Sequence, residues 1–269
     1  MARSNPKEAL TALVTGASSG IGEALARCFA RGGHRLVLVA RSAGRLRTLA
    51  ARLSSEFGVQ VLALPADLSL PEAAARLAAT LKRRRIAVDV LVNNAGVLEA
   101  GLFVRMPAQR HRQMVDLNVA GLTAMLTQFV PGMLRRGHGR ILNVASIAAF
   151  QPVPTLATYA ATKAYVLSLS ESLAEELRDS GVTVTALCPG FTATPMLSRA
   201  TRANARLVQL PGVLVGDVEE VAAEGYRACM AGEVIAVPGA LNLAATTATR
   251  AAPKWLVRRI GGALGRSML

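Results

Sequence analysis

The sequence predicts one doubly wound α/β domain, with a parallel sheet of about seven strands and helices on both faces. Three observations carry this. The 269 residues suit one large domain, and 52% hydrophobic against 18% charged residues supplies enough apolar material for a sheet buried on both sides. Short apolar runs alternate with longer stretches of helical periodicity. The first run ends in a glycine-rich turn, and a helical pattern starts immediately after it.

Taken in order, Ala9–Thr15 is the first strand, followed by Gly16-Ala-Ser-Ser-Gly20-Ile21-Gly22 and a helix running to Arg31. A strand, a tight glycine turn and a helix place a pyrophosphate at a helix N-terminus, where Ser18 and Ser19 can add hydroxyl donors. The spacing is G-x-x-x-G-x-G, not the general G-x-G-x-x-G. The second strand, Arg35–Ala40, ends where an NAD site would carry a carboxylate for the ribose 2′-hydroxyl. This chain has Ala40 and then Arg41, with Arg45 one turn later. A guanidinium in place of an acid suits a 2′-phosphate, hence NADP(H). Val59–Ala66 is the third strand and leads into Asp67-Leu68; Pro71–Arg85 is a helix, and Val88–Val92 the fourth strand, entering Asn93-Asn94-Ala95-Gly96. His111–Arg136 is a long helix with a lone polar Asn118, Arg140–Ser146 the fifth strand, and Leu156–Asp179 a second long helix. Val182–Leu187 is the sixth strand, Asp217–Ala231 another helix and Val234–Val237 a last strand.

The composition narrows the partners. The formal charge is +14, from 31 Lys+Arg against 17 Asp+Glu, but the arginines are scattered and aromatics are only 4%. Single-stranded nucleic acid needs aromatics interleaved with cations, so no nucleic-acid partner is expected. Cys28, Cys188 and Cys229 are odd in number and widely spaced among apolar neighbours, which argues for reduced thiols and against a metal site. The start is too short and polar for a signal peptide, and no uninterrupted apolar run approaches ~20 residues, so a cytoplasmic location is the expectation.

Tyr159 and Lys163 lie one turn apart on one face of the Leu156–Asp179 helix. An ammonium near a phenol favours the phenolate. At ~4 Å and an effective dielectric of ~20 the attraction is roughly 4 kcal/mol, about three pKa units at most. Such a shift would bring the tyrosine toward the pH where a general acid/base works best. On spacing alone, a Tyr and Lys at i,i+4 is more often a solvated helix face, and the rest of the chain decides. The fifth strand delivers Ser146 at its C-terminal end, the edge where open α/β sheets bind ligands.

Together these segments resemble the short-chain dehydrogenase/reductase family, from Ala9 to about Val237, on a Rossmann-like fold. Thr15–Gly22 is similar to its nucleotide loop (Gly16, Ser18, Ser19, Gly20, Ile21, Gly22), Asp67-Leu68 to its adenine contact, and Asn93–Gly96 to its fourth-strand motif (Asn94, Ala95, Gly96). The resemblance implies a catalytic set of Asn118, Ser146, Tyr159 and Lys163. In that set Ser146 and Tyr159 hold the substrate carbonyl, Tyr159 delivers the proton, and Lys163 lowers the tyrosine's pKa and holds the nicotinamide ribose. Asn118 kinks its helix and holds a water. Pro189, Gly190, Thr192 and Thr194 fall on the positions that meet the nicotinamide carboxamide, although Thr192 stands where an aliphatic residue is common. The resemblance also implies pairing of the Arg112–Arg136 and Leu156–Asp179 helices into homodimers or homotetramers.

Residues 195–216 resemble the family's variable substrate lid, closing one domain that spans 1–252. Residues 253–269 form a basic amphipathic helix on the helical wheel, with Leu256, Val257, Ile260, Leu264 and Met268 on one side. Such a helix can lie on an anionic membrane; packing on the parent domain or a second subunit is the expectation. The reading is an NADP(H)-dependent oxidoreductase acting on a carbonyl or secondary alcohol of a mostly apolar substrate. Its competitor is an NADPH-binding redox sensor or scaffold, which has no need of all four catalytic residues.

Overall fold

The computed structural model describes residues 9–198 and 215–253, together with Trp255, Val257 and Arg259. Most of the expected lid (195–216) and tail helix (253–269) lies outside the described residues. Seven parallel strands form one sheet in the order β3-β2-β1-β4-β5-β6-β7: Thr11–Thr15 (β1), Arg35–Ala40 (β2), Val61–Pro65 (β3), Val90–Asn93 (β4), Gly139–Val144 (β5), Val182–Leu187 (β6) and Ile235–Ala236 (β7). The order reverses between β1 and β4, which opens a crevice at their C-terminal ends.

The strands read as continuous apolar runs because both faces are buried. Leu13, Val37, Leu91, Ile141 and Val184 point into one core. Helices Ala73–Arg83 (α3), Leu122–Arg136 (α5) and Ala157–Glu176 (α6) cover it with Leu77, Met125, Met133 and Val166. Their neighbours Ala12, Val14, Leu38, Val90 and Leu142 point into the other. Helices Gly20–Arg31 (α1), Ala43–Phe57 (α2) and Val218–Ala231 (α7) cover that side with Phe29, Leu46, Leu53 and Cys229. A fully buried Leu or Phe stabilises by roughly 1.5–3 kcal/mol, so the period-two split sets the register of every strand.

Several boundaries differ from the sequence reading. β1 begins at Thr11, β3 is shorter at both ends, and β7 shrinks to two residues. Helix α3 stops at Arg83 and α6 at Glu176; left-handed backbone at Arg85 (φ 56°) and Asp179 (φ 64°) follows each. Helix α2 and a last helix, Ala240–Ala251 (α8), have no counterpart in the sequence reading. The expected His111–Arg136 helix begins at Ala108 (α4, Ala108–Val115) and passes through a π turn, Asp116–Gly121, before α5. A Cβ on Gly121 would collide with the Leu68 carbonyl, so the bulge lets this helix press against the chain leaving β3. An 18-residue window within the 29-residue span Ala108–Arg136 has a mean hydropathy of 1.3, enough to pass for a membrane span by length and composition, although no uninterrupted apolar run suggested one. Here Leu122, Met125, Leu126, Val130 and Met133 are its sheet-facing stripe.

Asp217 caps α7: its carboxylate accepts from the Glu219 N–H (2.8 Å) and the Glu220 N–H (3.1 Å). Replacing Asp217 by Ala removes that cap, at a cost of about 1 kcal/mol. A drop of about 2–4 °C in Tm is expected in a thermal melt; an unchanged melt would show that α7 is held by its packing on α1 and the sheet, without the cap.

Candidate active site

The site grows from the end of β1. The Thr15 hydroxyl donates to Val92 O (3.1 Å) and accepts from the Asn94 N–H (2.9 Å) and the Ala95 N–H (3.0 Å). Asn94 returns the contact, its Nδ2 donating to Thr15 O (2.9 Å) and Gly16 O (3.3 Å). Gly16 (φ 64°) and Gly20 (φ 58°) take left-handed backbone, and a Cβ on Gly16 would stand 2.7 Å from Asn94 Nδ2. The turn delivers the N-terminus of α1, where Ser19 takes the N-cap position in extended backbone and makes no side-chain cap hydrogen bond. The first N–H groups of the helix and the hydroxyls of Ser18 and Ser19 are a donor set suited to a phosphate.

One cleft of about 580 Å³ runs along the strand ends. It gathers Gly16, Ser18, Ser19, Gly20 and Ile21 from the first turn, Arg41 and Arg45 after β2, and Asp67 and Leu68 after β3. Asn94, Ala95 and Gly96 follow β4, while Ser146, Tyr159 and Lys163, then Pro189, Gly190, Thr192 and Thr194, complete the far side. Two nominated residues do not line it. Gly22 lies beneath the turn against Asn94 and the Gly16 carbonyl. Asn118 is buried behind Gly96 in the π turn, where its Oδ1 accepts from the Val97 N–H (2.9 Å) and its Nδ2 donates to Val97 O (2.9 Å) and Thr162 Oγ1 (3.1 Å). A Cβ on Gly96 would meet Asn118 Oδ1 at 3.2 Å and Lys163 Nζ at 3.7 Å, so the two converge on that glycine.

Local turns hold the remaining groups. Asp67 Oδ1 accepts from the Ser69 N–H (3.1 Å) and hydroxyl (2.7 Å). Ser146 leaves β5 in extended backbone and caps a short 3-10 turn, Ile147–Phe150, accepting from the Ala148 N–H (3.1 Å). Thr194 approaches the glycine turn across the cleft, its Cγ2 3.2 Å from where a Cβ on Gly20 would be. Asn242, which sequence reasoning missed together with its helix α8, donates to Pro238 O (2.8 Å) and packs on Gly190. The Ala- and Thr-rich α8 has only two large apolar residues, Leu241 and Leu243, and both are exposed, so no buried apolar stripe marks it.

The electrostatics differ from the Coulomb expectation. Lys163 Nζ donates to Val144 O (2.7 Å) and stands 5.8 Å from the Tyr159 ring centroid. Burial pushes the Tyr159 phenol up to about 12, with a hydrogen bond to Ser146 opposing, and the lysine does not figure among the causes. Burial also pulls Lys163 down to about 8, offset in part by the nearby Cys188. Desolvation outweighs attraction because both side chains are buried at the cleft wall, and the ammonium is directed at a carbonyl.

The sheet order, the switch-point cleft and the phosphate-suited helix terminus define a doubly wound dinucleotide-binding protein. The family described as short chain dehydrogenase matches residues 10–205, and the chain belongs to it. It is a nicotinamide-dependent oxidoreductase. Nodulation protein G of Rhizobium sp. (strain N33) is 34% identical over 240 residues, 86% of this chain and 96% of that protein. A short-chain dehydrogenase from Sphingobium yanoikuyae in complex with NADPH is 39% identical, with a TM-score of 0.79 over 90% of this chain and 93% of that one. The bulky-bulky ketone specific alcohol dehydrogenase from Comamonas testosteroni is 34% identical, with a TM-score of 0.76 over 90% of this chain and 92% of that one.

The depressed Lys163 has a consequence for stability. Between pH 8 and its ordinary 10.5 the unfolded chain holds a proton that the folded chain has released, so stability rises with pH across that window. Below pH 8 the full cost stands, at most ~3 kcal/mol. Denaturant unfolding of the parent and of Lys163→Met at pH 7 and pH 10 should show the parent gaining on the variant as pH rises; a gap that ignores pH would mean that Lys163 is not desolvated.

Proposed function

We propose that this protein interconverts a ketone and a secondary alcohol of a mostly apolar substrate with NADP(H), using Tyr159 as the acid/base. The observation that carries the reading is the meeting of Ser146, Tyr159 and Lys163 in one cleft with Arg41, and with no carboxylate at the end of β2. The NADPH held by the Sphingobium yanoikuyae relative supports the cofactor, and the ketone named for the Comamonas testosteroni relative supports the substrate class.

The residues fit a dinucleotide. Ser18, Ser19 and the N–H groups opening α1 would hold the pyrophosphate, with Gly16 and Gly20 permitting close approach, Ile21 lining the turn and Gly22 letting the turn pack on Asn94. Arg41, seconded by Arg45, would pair with the 2′-phosphate, Asp67 and Leu68 would flank the adenine, and Asn94, Ala95 and Gly96 would line the inner wall. Pro189, Gly190, Thr192 and Thr194 would receive the nicotinamide carboxamide. When bound, the nicotinamide supplies or accepts the hydride. Tyr159, whose pKa is pushed up to about 12, stays a phenol at neutral pH and can donate its proton to the carbonyl oxygen. The Ser146 hydroxyl donates to the same oxygen, where negative charge grows. Lys163, which donates to Val144 O, would hold the nicotinamide ribose. Asn118 is a positioning residue: it grips both the N–H and the carbonyl of Val97 and so fixes the chain after β4.

Residues 1–252 act as one catalytic unit with a lid at about 195–216, to which 253–269 are appended. The protein works in the cytoplasm as a homodimer or homotetramer, consistent with Val115 and Tyr165 exposed on α4 and α6.

Tyr159→Phe should abolish NADPH consumption on every accepted ketone while NADPH still binds; more than a tenth of parental activity would remove Tyr159 from the role. Arg41→Ala should weaken NADPH binding about ten- to a hundredfold, from the loss of a charge-assisted contact of roughly 1.5–3 kcal/mol, and leave NADH nearly unaffected. Equal losses for both cofactors in fluorescence titrations would make Arg41 a support for the loop.

A further inference from the structure

We infer that the substrate is an uncharged ketone whose apolar body carries one neutral hydrogen-bonding substituent remote from the carbonyl, and that Gln151 reads that substituent. This rests on the reading of the cleft as a ketone site.

The cleft divides by charge. Its charged lining side chains among the described residues are Arg41, Arg45 and Asp67, at the ends of β2 and β3, and Lys163, engaged with Val144 O beside Tyr159. Beyond Ser146 and Tyr159 the wall changes character: Val97, Leu98, Val153, Leu156, Met196 and Leu197 are all apolar. Leu156 and Tyr159 belong to a buried cluster against which Val97, Leu98 and Val153 pack, so this part of the wall continues a packed apolar cluster. A carboxylate or phosphate placed there would lose its hydration with no cation among the described residues that line this wall. Arg250, over the Phe150 ring (5.7 Å), is paired with Glu171 and does not line the cleft. Desolvating an ion without a partner is far more costly than desolvating a neutral group.

Gln151 is the exception in that wall. It lines the cleft, is exposed, and makes no side-chain hydrogen bond among the described residues. It stands at the far end of the Ile147–Phe150 turn that Ser146 caps, in extended backbone (φ −152°, ψ 155°). A 3-10 turn rises ~2 Å per residue, so the five steps from Ser146 to Gln151 separate their backbones by roughly 10 Å. One rigid turn thus holds the carbonyl-binding hydroxyl at one end and a free carboxamide at the other. A carboxamide both donates and accepts, and suits a hydroxyl, carbonyl or amide on the substrate.

The test uses the full chain with NADPH and one-ring and two-ring aryl methyl ketones. Their para position remote from the acetyl group carries an isopropyl, a carboxamide or a carboxylate. The parent should turn over the carboxamide at least tenfold better than the carboxylate in kcat/KM. In Gln151→Leu the ratio of kcat/KM for carboxamide over isopropyl should fall by three- to tenfold, the worth of one neutral hydrogen bond. A preference for the carboxylate, or an equal change on all ketones in Gln151→Leu, overturns the inference. A second arm, ketone binding to the NADP⁺ complex by calorimetry, separates it from the reading it rests on. Gln151-dependent carboxamide binding without turnover sustains the inference and refutes the ketone reduction, whereas turnover without a Gln151 effect does the reverse. Neither turnover nor Gln151-dependent binding overturns both.

Discussion

The structure depends on the clasp between the ends of β1 and β4. Thr15 spends its one hydroxyl on three backbone groups of β4 and the chain beyond it, and Asn94 replies to the carbonyls of Thr15 and Gly16. These contacts close the sheet at the point where strand order reverses, where no direct chain connection joins the neighbours. They also hold the glycine turn against the inner wall, so close that a Cβ at Gly16 or Gly22 has no room. The crevice exists because β1 and β4 send their following segments to opposite faces, and the clasp keeps its floor from opening. Buried polar atoms that are fully paired in this way specify one arrangement, because any slip would strand several of them at once.

Around that floor the dominant electrostatic effect is desolvation. Tyr159, Lys163 and Cys188 are all shifted toward their neutral forms by burial, and the attractions among them only moderate this. A neutral phenol and a lysine near its titration point make a centre suited to giving a proton. Beyond it lies a wall with apolar side chains and one carboxamide, while the guanidinium groups stand at the other end of the cleft. The cleft is thus charged at the ends of β2 and β3 and apolar where the chain's own core comes to the surface.

The +14 charge has a second organisation at the opposite edge of the sheet. Helices α3 and α5 both end there, and Arg136 Nη2 donates to Val88 O (2.6 Å), three residues beyond the basic run Lys82–Arg85. Cations at helix C-termini offset the negative pole of each dipole. Elsewhere arginines pair in exposed bridges, among them Arg27–Glu219 (2.6 Å) and Arg52–Glu23 (2.6 Å). Each adds little to stability.

Much of this was legible in the sequence because it is local. The turn Gly16–Gly22 announces itself by glycines that backbone geometry requires, and β2 keeps the bounds Arg35–Ala40 because its apolar run is sharply flanked. The spacing of Tyr159 and Lys163 follows from one helix, so their shared cleft was foreseeable once strand ends were placed. What tertiary structure alone decided is what those residues experience. Lys163 turns to Val144 O, nineteen residues away in sequence, and burial reverses the direction expected for the tyrosine. Asn118 acts through Val97, Gly190 meets Asn242, and Gln151 ends a turn whose length sets its reach. Local pattern determines which element forms, since hydrophobic period and turn chemistry act over a few residues; solvation and long-range contact depend on the whole packed chain, which no short window contains.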